Sequence, residues 1–270
     1  MAKNTQASTS KQLTFNILSA TTFMDYLRKF IVVDANALLE LQTNNTIVIK
    51  SFTTNRAAVK MGSLNLVDIF DFDDKVTPIT ENIKMGVYYV ETLVKMISIV
   101  SEGSSDVFLD IFYERDDEDE YVATSMNVYN KDLKYNFKCS SKKLFKHIAN
   151  DVLDKVFETG SSNFSFDFDT IHLKKLELIT SVEKGTNIEI KLVGDQDDHE
   201  LFFITKNSKW KCDTSIDVSE PDTKITIQKD YLKYLDKEEY KIYINDDKIV
   251  FKSSQTDTNI SFGAVAGDEE

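Results

Sequence analysis

Between Asn163 and Val193 the hydrophobic period of the chain changes twice, and this constrains the fold more than any other feature. Phe164, Phe166 and Phe168 alternate with Ser165, Asp167 and Asp169, the period-two signature of a strand with one buried face. From Thr170 the period becomes helical. Thr170, Lys174, Glu177, Ser181 and Lys184 share a polar stripe, and Ile171, Leu173, Leu176, Leu178, Ile179 and Val182 fill the remainder. After Lys184-Gly185 the alternation returns in Ile188, Ile190 and Leu192. The unit is strand, amphipathic helix, strand, and its helix is expected to lay its apolar side on a sheet.

The same order recurs three more times. LTFNIL from Leu13 leads into TTFMDYLRKF and three alternating segments; YVETLVKMISIV leads into VFLDIFYER, VATSMNVY and LKYNFKC; TKITIQ leads into KDYLKYL and three strands. Four copies of one pattern, two per half, predict two similar domains. The expected class is α+β, each domain carrying two amphipathic helices on antiparallel sheets. The boundaries read as a mobile polar leader at 1–11, a first domain at 12–139, a connector at 140–162 and a second domain at 163–270 with an acidic tail. Lys142 to Phe157 spaces Leu144, Ile148, Val152 and Val156 four apart, which predicts a helix in the connector.

At 270 residues each half is long enough to bury a core. Cys139 and Cys212 lack the number and spacing of a disulfide framework or zinc site, and suit a reducing cytoplasm. No apolar run approaches the ~20 residues of a membrane span. The formal charge of -13 argues against a tight phosphate binder, yet its acid is concentrated in the expected loops RDDEDE and DQDDHE and at the C-terminus. The helices' solvent stripes are less acidic: Arg28, Lys29, Lys95, Lys174, Lys184, Lys229 and Lys233 lie on them.

No catalytic constellation is found. His147, His172 and His199 stand in unrelated contexts, and Walker, HExxH and G-x-S-x-G patterns are missing. Adjacent Asp pairs at 73–74, 197–198 and 246–247 cannot converge on a strand, and N-D-D at Asp246 is turn chemistry. RDDEDE lacks the spacing and glycine of a calcium loop and reads as a solvated hairpin tip. Neither an enzyme nor a bound metal or cofactor is expected.

Two domains of doubled strand, helix, three-strand units with an acidic total charge resemble the DNA sliding clamps, and most nearly the two-domain clamps of T-even-type bacteriophages. TKITIQKDYLKYLDKEEYKIYINDDKIVFKSSQTDTNISFGAV has the order of the last quarter of those clamps, and FIVVDANALLELQTNNTIVIKSFTTNRAAVKMGSL the corresponding order in the first. The resemblance implies a homotrimeric ring with helices lining the hole, encircling duplex DNA without sequence readout and tethering a replicative polymerase after loading by a clamp loader. It makes Arg28, Lys29, Lys95, Lys174, Lys184, Lys229 and Lys233 the DNA contacts. A partner-peptide pocket falls near the chain's end, with Val265 and Ala266 at its rim. The location implied is the cytoplasm, of the host cell for a viral protein.

Two other readings stay open: a monomeric processivity factor of the herpesvirus kind, and a phage structural or assembly module that does not bind DNA. Native mass separates them as monomer, large open assembly, or the discrete closed oligomer of a clamp.

Overall fold

The computed structural model describes residues 10–71, 79–145, 148–183, 185–195 and 198–265. Most of the expected leader lies outside the described residues, as do Asp73, Asp74, Lys146, His147, Lys184, Asp197, Ala266 and the acidic ending.

The chain divides into two compact units, Met1–Ser51 with Ser63–His147, and Phe52–Gly62 with Ile148–Glu270. The tip of an early hairpin thus joins the second unit, although the repeat pattern groups it with the first.

In the first unit the strands run in the order Thr46–Phe52, Ala37–Leu41, Ile83–Val87, Tyr121–Tyr129, Phe108–Arg115, Lys11–Ile17 and Phe70–Asp71, and Lys134–Lys138 also lies on Tyr121–Tyr129. Each repeat lends its first strand to the other: Lys11–Ile17 pairs with Phe108–Arg115, and Ile83–Val87 pairs with Ala37–Leu41. The two halves meet where Ile83 and Tyr121 pair in parallel. Helices α1 (Ala20–Ile31) and α2 (Val90–Ser101) pack on one another. Ser19 starts α1 by accepting the Thr22 amide, and Phe23, Leu27 and Phe30 bury the face that the sequence periodicity marks. Leu93, Val94 and Ile97 do the same for α2. Each such side chain contributes about 1.5–3 kcal/mol on burial.

The second unit repeats the exchange. Phe164–Phe168 pairs with Tyr240–Ile244, and Lys224–Gln228 pairs with Asn187–Asp195. One sheet runs Ile216–Val218, Phe164–Phe168, Tyr240–Ile244, Lys248–Ser253, Thr258–Gly263 and the imported segment at 58–62; a four-stranded sheet runs Lys209–Cys212, Asp198–Ile204, Asn187–Asp195 and Lys224–Gln228. Phe166, Phe168, Phe203 and Trp210 form an aromatic series through the core, with Phe203 and Trp210 stacked at 5.2 Å.

Three helical expectations are corrected. The connector is not one helix: Lys142–Leu144 is a 3-10 turn, Phe145 is extended, and α3 spans only Asn150–Phe157. Its Ile148, Leu153 and Phe157 pack with Phe52, Val59 and Val250 of the same unit, leaving Leu144 and Val152 exposed. The expected helix KDYLKYL is a 3-10 turn, Lys229–Tyr234, which seats Tyr231 and Leu232 in the core.

In α4 (Thr170–Val182), capped by Asp169 accepting the His172 amide at 2.7 Å, the buried side is Leu173, Leu176 and Thr180. Ile171, Leu178 and Val182, expected on the sheet, are 72%, 61% and 81% exposed. The helix carries apolar residues on two opposite faces, and Thr180 fits the buried one because its hydroxyl donates to the Leu176 carbonyl at 2.8 Å. Among the described residues no helix is long and apolar enough to cross a membrane.

Candidate functional site

The described cationic side chains singled out from sequence fall on α1, α2, α4 and the 3-10 turn Lys229–Tyr234, and they differ in what they touch. On α1, Arg28 is exposed and pairs with Asp25 at 3.1 Å, a contact worth under about 1 kcal/mol in water. Lys29 is half-buried beside it in the last turn, where a positive charge suits the helix dipole. Lys95 is exposed on α2. Because α1 and α2 pack together, these cations share one helical layer of the first unit.

In the second unit Lys174 is exposed on α4, and so is Lys175, which sequence reasoning passed over. The Lys175 ammonium lies 4.6 Å from the Trp210 ring centre, which ties the outer face of α4 to the strand Lys209–Cys212. Lys233 is exposed near the Tyr234 ring.

Lys229 has a structural partner. Its ammonium donates to the carbonyls of Thr180 at 3.2 Å and Glu183 at 2.8 Å, closing the C-terminus of α4. The Glu183 carboxylate accepts from Ser208, Thr205 and Asn207, and the hydroxyls of Ser208 and Thr205 hold it below the usual carboxylate range. The end of α4 and the turn before Lys209 are thereby fixed to one another. Lys184 and Ala266 lie outside the described residues. Val265 is half-buried, with its amide donating to the Thr226 carbonyl at 2.9 Å.

The acidic hairpin differs from the solvated tip expected. Lys142 seats its ammonium among Asp116 and Glu118, each at 2.7 Å, and Glu120; Lys84 also reaches Glu120, and Lys143 reaches Asp117 at 2.9 Å. The three carboxylates lie within 4.8 Å of one another, close enough for a cation, and the chain supplies that cation itself. Nothing in RDDEDE alone reveals this, since Lys84 lies on an earlier strand and Lys142 and Lys143 lie beyond the next two. Cys139 and Cys212 are driven up to about 12 by burial, so both thiols stay protonated and unreactive at neutral pH.

Among the described residues five strands have a neighbour on one side only, namely Phe70–Asp71, Lys134–Lys138, Lys209–Cys212, Ile216–Val218 and Lys224–Gln228, and two of these close a repeat. Lys209–Cys212 ends the four-stranded sheet, and Lys134–Lys138 pairs with Tyr121–Tyr129 alone. Each is the last strand of its repeat. The corresponding strands of the first and fourth repeats pair with one another, at Ala58↔Phe262 through Gly62↔Thr258.

No family model matches the sequence, and no curated protein matches it either. Structure is more informative. The proliferating cellular nuclear antigen of Entamoeba histolytica superposes with a TM-score of 0.62 at 10% identity, over 94% of this chain and 98% of the other. A putative DNA polymerase III beta subunit from Eubacterium rectale superposes with a TM-score of 0.61 at 15% identity, over 94% of this chain and 65% of its own. The chain has the DNA sliding-clamp fold. At these identities the likeness is of backbone rather than of individual side chains. The T-even expectation is narrower than these two clamp structures, which come from an amoeba and a bacterium.

Proposed function

We propose that this chain is a sliding clamp that encircles duplex DNA and tethers a replicative DNA polymerase, with no catalytic role of its own. The observation that carries the reading is the pair of open edges. Where the first and fourth repeats join strand to strand inside the second unit, the equivalent strands of the second and third repeats are open among the described residues. A second copy, added head to tail, would join Lys134–Lys138 to Lys209–Cys212, and such a heterologous contact closes into a ring when its rotation permits. Three copies supply six clamp domains, the homotrimer of the two-domain phage clamps. The apolar stripe of Ile171, Leu178 and Val182, linked to Trp210 through Lys175, is the face such a neighbour would cover.

DNA passes through the hole, and Arg28, Lys29, Lys95, Lys174 and Lys233, with Lys184, meet its phosphates through weak, partly water-bridged contacts. Enclosure replaces affinity, so a chain of charge -13 can hold a polyanion. Lys229 acts mainly through α4. A clamp loader opens the ring, and polymerase peptides dock near Val265 and Ala266. The location proposed is the cytoplasm.

The test is native mass spectrometry together with polymerase stimulation on primed circular and linear templates. A closed trimer that stimulates synthesis on circles and slides off linear DNA supports the clamp. A monomer, or an oligomer without stimulation, overturns it.

A further inference from the structure

The strand pairing seen inside the second unit has a definite register, and the repeats carry that register onto the two open edges. In the first repeat the hairpin closes with the Thr53 amide donating to the Ala58 carbonyl; in the third, the Thr205 amide donates to the Ser208 carbonyl. Ser208 thus corresponds to Ala58, and Trp210 to Lys60. In the last hairpin the first pair beyond the turn is Lys252↔Asn259, and in the second repeat it is Tyr129↔Lys134. Lys134 thus corresponds to Asn259, and Tyr135 to Ile260.

Burial confirms the phase. Ile260 and Phe262 face their core as the half-buried Tyr135 and buried Phe137 face theirs, and Trp210 and Cys212 are buried while Lys209 and Lys211 are exposed.

Inside the chain, Ile260 stands opposite Lys60, and Asn259 opposite Met61. We infer that a second copy of this chain pairs with Tyr135 opposite Trp210 and Lys134 opposite Lys211, so that an aromatic pair closes the joint and two ammonium groups loosen it. This rests on the ring proposed above, and adds the register and a built-in weakness.

The aromatic pair lies on the core side, where cross-strand aromatics favour association. The lysines lie on the solvent side. Opposed side chains across an antiparallel pair stand about 5 Å apart at Cβ, where like charges repel. At the equivalent position the internal joint has only the neutral Met61 and Asn259. Lys211 already bonds Glu200 at 2.8 Å, and Lys134 lies 5.2 Å from the Tyr129 ring centre, so each ammonium is held at its own edge. A ring built this way has joints weaker than the one between its own repeats, and these are the joints that open.

Lys134→Glu tests the register. At low salt it places a carboxylate opposite Lys211 and is expected to slow subunit exchange between isotopically labelled oligomers, followed by native mass spectrometry, by about two- to fivefold. Each chain already carries a charge of -13, so general repulsion predicts the opposite, faster exchange. The control is Lys138→Glu, which changes the net charge equally. The Gly263 amide donates to the Ala57 carbonyl, so Lys138 falls opposite the neutral Asn207, and its variant should not slow exchange.

Slower exchange for Lys134→Glu alone supports the register. Equal effects of the two variants, or faster exchange for Lys134→Glu, overturn it while an intact wild-type trimer leaves the clamp reading standing. A wild-type chain that stays monomeric overturns both.

Discussion

Lys60, with no exposed side-chain surface, forms a 2.8 Å ion pair with Asp236 and donates a second hydrogen bond to the Tyr234 carbonyl at 3.1 Å. This contact pins the imported strand to the loop after the 3-10 turn Lys229–Tyr234. Lys60→Ala leaves a largely buried carboxylate without this partner, and is expected to cost about 3–5 kcal/mol in urea unfolding. Lys60→Met with Asp236→Asn should recover much of the loss; a double-mutant cycle without coupling would show that the pair contributes nothing.

Gly86 seats the start of the connector. A β-carbon there would stand 2.2 Å from the Ser140 carbonyl oxygen and 2.5 Å from the Phe145 ring. Gly86→Ala is therefore expected to cost about 1–3 kcal/mol and to displace Ser140, breaking the hydrogen bond that the Ser140 amide donates to the Gly86 carbonyl at 2.9 Å. Hydrogen exchange should rise at 140–145 and stay unchanged in α4.

The clasp around Lys142 responds to acid. Hydrogen bonds from Lys142 and Lys84 hold Glu120 below its ordinary 4.5, and Lys143 holds Asp117 below 3.8. Folded values beneath unfolded ones mean that this contribution is present above the ordinary values and is lost as pH falls through the lowered ones. Exchange protection at 140–145 should fall as pH drops below about 4.5, with a shallower dependence in Lys142→Met. An identical pH profile in that variant would remove the clasp from the account.

Charge reversal separates DNA contacts from structural lysines. Lys95→Glu, Lys174→Glu and Lys233→Glu together are expected to lower polymerase stimulation on circular templates at least about tenfold, with native mass unchanged. Lys229→Met should first lower stability, by about 0.5–1 kcal/mol, because its ammonium closes α4. Equal stimulation by the triple variant and the wild type would place the DNA elsewhere.

What could be read from the chain divides along the range of the interactions. Alternating Phe164, Phe166 and Phe168 and the helical period from Thr170 are local, and strand and helix begin where they predict. The buried side of α4 was not legible, because Ile171, Leu178 and Val182 are as apolar as Leu173 and Leu176 and only the sheet beneath decides between them. Equally hidden were the partners of Lys142 and Lys229, which lie across loops from their cations. The four repeats were visible as a pattern, but the exchange of first strands joins residues as distant as Thr14 and Asp110, whose side chains meet at 2.8 Å. A distance-blind period carries no trace of such pairing.

That exchange governs how the molecule can be made and cut. Lys11–Ile17 has only the two-residue strand Phe70–Asp71 beside it until Phe108–Arg115 has left the ribosome, so the first unit must wait, largely unassembled, through most of its own translation. A protease nick in the connector would not release two autonomous halves either. The fragment carrying Thr258–Gly263 would lose the strand at 58–62 to its counterpart, and a bare β-edge in one piece with an orphaned hairpin in the other favours recapture over separation.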